Sequence, residues 1–227
     1  MSRHGWYKFF SRREWAEAFL SGEVMFRSLS YFRDFEDRTT KQVIGDRYEG
    51  TATSMPDGGV ILRARETGQV VKFVEPFAFN KVVDTENIYV YCVSNSYSDD
   101  LVREFNAVAC IEMLDKRAFF DRLRPALPVG ATFVSGRVEY YRAIADAEAL
   151  KRLITSASPK DVVLSKLEQF RYQDEYRFAF SCTTALNDGS ALRCLREFKP
   201  TANPDEHHEQ LLALGDLRDI SKLHLPC

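Results

Sequence analysis

An α+β fold, built from mixed but mainly antiparallel sheets with a few short helices, is what the 227 residues of this chain predict. Three observations carry that expectation. Short runs rich in β-branched and aromatic residues recur along the whole chain. Aromatic content is 13%, with 17 Phe and 10 Tyr, which suits pleated strands packed through rings. The helical runs are short and do not alternate regularly with strands, so the pattern of a doubly wound sheet is missing. One domain spanning residues 1–227 is expected, because a single core can fill that length.

Trp6–Phe10 reads as a first strand. Ser11 follows as a helix N-cap, with Glu14 three residues on as its capping-box partner. The helix carries Trp15, Ala18, Phe19 and Leu20 and stops near Gly22. Val24–Tyr31 reads as a second strand, before a charged segment from Arg33 to Glu49 broken at Gly45 and Gly50. The runs 59–65 and 69–74 are strand-like, punctuated by Pro56, Gly58, Gly59 and Gly68. Asn87–Ser94 reads as a buried strand, Ser98–Phe105 as a helix or turn, and Ala107–Met113 as a strand. Asp115 caps a helix holding Phe119, Phe120 and Leu123, and Gly136–Tyr141 is a strand. Residues 145–155 and 159–169 read as helical, leading into a long strand that ends near Ser181. Residues 192–198 read as a last strand, followed by a tail that packs locally.

Composition removes several classes of function. A formal net charge of −2 gives no global field toward nucleic acid or an anionic membrane. No stretch approaches the roughly 20 consecutive apolar residues of a membrane-spanning helix. Residues 1–7 lack the apolar core of a signal peptide. The expectation is a cytoplasmic protein with no membrane partner. Cys92, Cys110, Cys182, Cys194 and Cys227 form no CxxC pair, which argues against a disulfide scaffold or a zinc site. Cys92, Cys110 and Cys182 lie in apolar runs and read as buried thiols. His4, His207, His208 and His224 show no metal-ligand spacing, and neither a GxGxxG nor a GxxxxGK[ST] loop is present.

Chemistry concentrates in Lys166–Phe180. As one strand it sends Phe170, Tyr172, Asp174, Tyr176, Phe178 and Phe180 to one face. The other face carries Arg171, Gln173, Glu175, Arg177, Ala179 and Ser181. Gln173 and Glu175, roughly 6–7 Å apart on that face, can meet a ligand with an amide and a carboxylate together. A carboxylate beside a sugar can stabilise an oxocarbenium-like transition state. A solvated strand face, with Glu175 paired to Arg171 or Arg177, is the commoner result of such spacing. Ser28 and Ser30 share a face of the second strand and can brace a carboxylate or bind a ribose. Lys8 can hold a phosphate, although a snorkelling surface lysine is the ordinary case. Asp34, Glu36, Asp37, Asp46 and Glu49 can hold Mg²⁺, but the alternating charges from Arg33 to Arg47 favour local pairing in a solvated loop.

The order of these pieces resembles a widespread prokaryotic family of uncharacterised domains over about residues 6–180. The residues concerned are Tyr7-Lys8-Phe9-Phe10, a helix, Ser21–Ser30, Phe32-x-Asp34-x-Glu36, Tyr91-Cys92-Val93-Ser94, and Lys166 followed by Gln173-Asp174-Glu175-Tyr176-Arg177. The chain departs from that family at the turn, where Phe-Arg-Asp-Phe-Glu replaces Asn-Asp-Pro-Phe-Glu. The layout is also similar to ADP-ribosyltransferases, which carry a basic residue or His on an N-terminal strand, a Ser-x-Ser strand and a late Gln/Glu-x-Glu. The resemblance implies an ADP-ribosyltransferase-like fold. It also implies cleavage of the nicotinamide–ribose bond of NAD, and transfer of ADP-ribose to a nucleic acid or protein. Glu175 would be the catalytic acid, stabilising the ribosyl cation through a ribose hydroxyl, and Gln173 would position the acceptor. Tyr7, Lys8, Ser28, Ser30, Tyr31, Phe32 and Arg177 would surround the NAD, with Tyr31 or Phe32 stacked on nicotinamide. Two departures are visible: Lys8 stands where those enzymes have Arg or His, and the gap from Ser30 to Gln173 is long.

The implied setting is a toxin or antiphage effector, with an antitoxin or immunity partner. Two other classes stay open. A non-catalytic binding module of the same fold would tolerate Glu175→Gln. A Mg²⁺-dependent nuclease built on Asp34, Glu36 and Glu175 would cleave nucleic acid without NAD and stop on adding EDTA.

Overall fold

The computed structural model describes residues 5–33, 48–56, 60–64, 66–73, 79–145, 158–187, 193–195 and 208–225. The strands of these residues are β1 (Trp6–Phe10), β2 (Glu23–Ser28), β3 (Thr51–Pro56), β4 (Val60–Arg63), β5 (Val70–Phe73), β6 (Phe79–Val82), β7 (Tyr89–Ser94) and β8 (Ala109–Met113). They continue as β9 (Thr132–Arg137), β10 (Glu139–Tyr141), β11 (Ile144–Ala145), β12 (Ser165–Leu167), β13 (Glu175–Ser181), β14 (Arg193–Leu195), β15 (Glu209–Ala213) and β16 (Ser221–His224). Helices are short, the longest among the described residues being α1 (Arg13–Leu20) and Lys116–Ala126. Pairing is mainly antiparallel, as the composition predicts; β10–β12 and β11–β3 run parallel.

The main sheet has eight strands and forks at β7. One edge of β7 pairs with β13 along its length, from Glu175 opposite Ser94 to Phe180 opposite Tyr89. The other edge is divided. Its start pairs with β2 at Arg27–Val90 and Ser28–Tyr89, and its end pairs with β1 at Tyr7–Ser94. β1 and β2 therefore diverge, and Tyr91–Val93 form the crotch. β8 and then β16 extend the β1 arm, β15 extends the β2 arm, and β9 lies outside β13.

Alternation sends the two faces of this sheet into two cores. On one face Phe178 packs 5.1 Å from Trp6 and 5.4 Å from Phe119 between ring centroids, and Phe180 meets Phe26 at 5.2 Å. Such edge-on ring contacts add to the area they bury. On the other face Val90 and Ala179 join Leu29, Ala52, Ile88 and Val162 in a second cluster. Ala52 on β3 and Val83 just after β6 bring the four-stranded sheet β11-β3-β6-β14 against it.

Several elements differ from the sequence reading. The cap of α1 is Arg12, which makes no side-chain cap bond, so Ser11 lies one residue outside the helix. Glu14 instead sits in the first turn, where the helix dipole favours a carboxylate. The second strand stops at Ser28 and residues 29–33 are helical. Leu29 drives that bend, because it is fully buried in the second core while its N–H bonds Ile88 O at 3.0 Å. Gly136–Tyr141 is split at Val138: its N–H still bonds Glu175 O at 3.0 Å, but the next N–H, that of Glu139, turns to Leu164 O at 2.8 Å. Residues 159–169 are helical only over Pro159–Val163, where Ser158 and Asp161 form a capping box. β12 and a 3-10 turn at Glu168–Gln173 follow. Asp174 then reverses the chain in the left-handed region, φ 42° and ψ 54°, a conformation Asp tolerates better than most residues. The long strand therefore begins at Glu175. The tail does not pack locally, since β15 and β16 form opposite edges of the main sheet. Cys110 is buried, but Cys92 is half-buried and Cys182 exposed. Residues 34–47 and 146–157, which include most of the charged segment and of the expected 145–155 helix, lie outside the described residues.

Candidate functional site

The fork holds a cavity of about 390 Å³, within the roughly 300–1,000 Å³ of small-molecule sites. Tyr7–Phe10 of β1 and Val90–Ser94 of β7 all line it, residue after residue. Neighbours on a strand point to opposite faces, so the cavity lies in the split of the sheet rather than on one side of it. Trp15 and Phe19 of α1, with Tyr31, Phe32 and Phe105, give it aromatic walls.

Its floor is a buried charge network. Glu175 Oε1 accepts from Lys166 Nζ at 2.8 Å and Oε2 from Arg177 Nε at 2.9 Å. The Arg177 fork runs on to Glu49, at 2.5 and 3.0 Å, and to the Val163 carbonyl at 2.8 Å. Lys166 also donates to Gln173 Oε1 at 2.7 Å. Arg177 and Gln173 are 1% exposed and Glu175 8%. Burial alone would raise the Glu175 pKa, but the charges of Lys166 and Arg177 outweigh it and hold the carboxyl at about 2. Burial works against the Arg177 cation too, yet Glu49 and Glu175 raise its pKa well above the ordinary value. The Glu175 N–H is fixed in turn by Tyr140 Oη at 2.8 Å.

Lys8 reaches into the crotch of the fork. Its Nζ donates to Cys92 O at 2.8 Å, on the stretch of β7 that neither β1 nor β2 covers, and lies 4.4 Å from the Tyr91 ring centroid. Burial lowers its pKa, with Cys92 and Glu175 pulling the other way. Arg27 on the wall is paired with Glu209. At the floor and crotch Lys8, Lys166 and Arg177 face two carboxylates, Glu49 and Glu175, and this local excess of one positive charge suits an anionic group there.

Seven of the nine residues singled out from sequence line this cavity: Tyr7, Lys8, Tyr31, Phe32, Gln173, Glu175 and Arg177. Ser28 and Ser30 do not. The chain turns helical after Ser28, and the two hydroxyls are buried and bonded to each other at 2.9 Å. Gln173 and Glu175 do meet, but across the Asp174 reversal and through Lys166 rather than by strand alternation. Their polar row is neither solvated nor a rim. Arg171 stays outside it, paired with Glu168 at 2.7 Å.

Lys166 and Glu49 were missed as members of the network. A guanidinium at Arg177 inside the apolar run Phe178-Ala-Phe180 signals a buried cation in need of a carboxylate, but nothing local names a partner 128 residues away. Among the described residues no three His, Cys, Asp or Glu side chains gather as metal ligands. Asp34, Glu36, Asp37 and Asp46 lie outside the described residues, and Glu49 and Glu175 are engaged by cations.

Comparison with models of protein families, with curated proteins and with solved structures gives no match. Among the described residues no helix is long and apolar enough to cross a membrane.

Proposed function

We propose that the fork is an NAD-binding cleft and that the chain is an ADP-ribosyltransferase-like enzyme acting on nucleic acid or protein. The observation that supports this most is Glu175: an ionised, buried carboxylate on the floor of an aromatic-walled cavity that also presents a surplus cation. NAD enters as substrate. Lys8 holds its phosphates, and Tyr31 or Phe32 packs on the nicotinamide. As the glycosidic C–N bond breaks, nicotinamide leaves with the bonding pair and positive charge grows on the ribose. Glu175 faces that charge from a position already fixed by Lys166, Arg177 and Tyr140, so little reorganisation is needed. Gln173, also held by Lys166, positions the acceptor. A toxin or antiphage effector of this kind would be restrained by a partner that fills the cleft mouth.

The test is labelled NAD with a bacterial lysate, comparing wild type with Glu175→Gln. Release of nicotinamide by the wild type, falling about 10²–10³-fold in the variant, is the expected result. Treating the products with protease or nuclease names the acceptor. A folded wild type that leaves NAD intact overturns the reading.

One observation favours a second reading, a non-catalytic binding module. Both Glu175 oxygens are already engaged by cations. On that reading the network is a rigid floor and Lys8 captures an anionic ligand without turnover. Binding then survives Glu175→Gln and is lost in Lys8→Met.

A further inference from the structure

A line of side chains crosses the main sheet at one register. Glu175 is opposite Ser94, Ser94 opposite Tyr7, Tyr7 opposite Glu112, and Glu112 opposite Lys222. Residues directly opposite each other across strands share a face and interact. Tyr7 lines the cavity, and its hydroxyl donates to Glu112 Oε1 at 3.0 Å. Glu112 Oε2 meets His224 Nε2 at 2.9 Å. The Glu112 side chain is 7% exposed and that of His224 27%, so the line runs from the cleft through a buried carboxylate to solvent. The charge network around Glu175 makes no use of these three residues.

We propose that Tyr7, Glu112 and His224 form a proton relay from the cleft to solvent, and that Tyr7 takes the proton of the acceptor nucleophile during transfer. The role rests on the ribosyl-transfer reading of the cleft. That chemistry leaves one proton to remove. The C–N bond to nicotinamide breaks, the acceptor lone pair forms the new bond to the ribose carbon, and the acceptor O–H or N–H proton must go. Glu175 is a poor base for it, with both oxygens engaged and a pKa of about 2. Tyr7 takes that proton as it passes its own to Glu112, and His224 hands the proton to water. A relay of this kind serves an acceptor that needs a base: a hydroxyl or a base or amide N–H. A carboxylate acceptor, already ionised, needs none. The product linkage is therefore of the kind that resists neutral hydroxylamine.

Among the described residues, those facing the relay include Cys110 opposite His224, Lys222 opposite Glu112, Tyr97 with its ring 5.9 Å from that of Tyr7, and Lys8 next along β1. Cys110 is pushed up to about 12, by burial first and then by the charge of Glu112, so it stays a neutral thiol.

The experiment follows the His224 ring nitrogens by NMR at fixed pH in wild type, Tyr7→Phe and Glu112→Gln, beside NAD turnover in the same proteins. The Nε2 signal should move in Glu112→Gln, which loses its carboxylate partner. It should also move in Tyr7→Phe, which takes the phenol donor from that carboxylate. Transfer should fall about 10²-fold in Tyr7→Phe, with the deficit largest at low pH where solvent base is scarce. A His224 Nε2 signal indifferent to Tyr7→Phe breaks the relay whatever the protein does with NAD. Unchanged transfer in a folded Tyr7→Phe overturns its role. If coupling is present but wild type releases no nicotinamide, the ribosyl-transfer reading fails, and the role assigned to the relay falls with it.

Discussion

Arg177 and Arg122 each grip a carboxylate with two parallel hydrogen bonds, yet they belong to different parts of the molecule. Arg177 is 1% exposed, and Glu49, Glu175 and the Val163 carbonyl use its donors. Arg122, 29% exposed, holds Asp219 at 2.9 and 2.5 Å on the surface and also touches the Asp216 carbonyl. The same fork geometry does different things in the two settings. In water the Arg122 pair gains little, because screening and side-chain entropy offset the attraction. In the interior, Arg177 anchors Glu49 and, with Lys166, holds Glu175 ionised against its burial. Geometry alone therefore does not mark a site; burial and the number of dependents do.

The largest break in that comparison is Arg177→Met. It strands Glu49 in the interior and leaves Glu175 with Lys166 alone, and stability should fall by about 3–5 kcal/mol, read from urea unfolding. A loss under about 1 kcal/mol would mean that water fills the gap and that the floor is not rigid. Next is acid. Glu175 sits at about 2 in the folded protein, against about 4.3 for an exposed Glu. A depressed carboxylate contributes stability that is complete above the unfolded pKa and lost as pH falls through the folded one. The thermal midpoint should hold down to about pH 5 and then decline toward pH 2. In Lys166→Met the decline should begin at the same pH, set by the unfolded chain, but be smaller and end at higher pH, since Glu175 keeps only one of its two cations.

Smaller effects sharpen the contrast. Arg122→Met should move the thermal midpoint by no more than about 2 °C, and added salt should erase the difference while leaving that of Arg177→Met. Opposite in sign is Tyr91→Phe. The Tyr91 hydroxyl is buried with no hydrogen-bond partner, and its own pKa is raised by that burial. Removing it should stabilise the protein by about 1 kcal/mol. Destabilisation instead would point to a bound water at that hydroxyl.

What the sequence made legible follows from range. β1, β7, β8 and the Asp115-capped helix were readable because each rests on its own apolar pattern and caps. Phe178 and Phe180 were placed on a core face by alternation, and they lie there. Gln173 was misplaced because one left-handed residue, Asp174, converts a continuous pattern into a turn followed by a strand. Ser30 was misplaced because burial of Leu29 overrides strand propensity. The partners of Glu175 and Tyr7 mix near and far. Lys166 is nine residues from Glu175, across a turn, whereas Glu49–Arg177 and Tyr7–Glu112 span 128 and 105 residues, where no local periodicity reaches.

The placement of β15 and β16 sets an order of assembly. Residues 209–224 are made after every other strand of the main sheet, yet they pair with its β2 and β8. Leu211 completes the cleft wall and His224 completes the line behind Tyr7. A nascent chain that has already made Glu175 still has two bare strand edges, β2 and β8, and an unfinished cavity. Pairings so distant in sequence form slowly. During synthesis the molecule is consequently inert and sticky at once. It gains its pocket and covers β2 and β8 in the same late step.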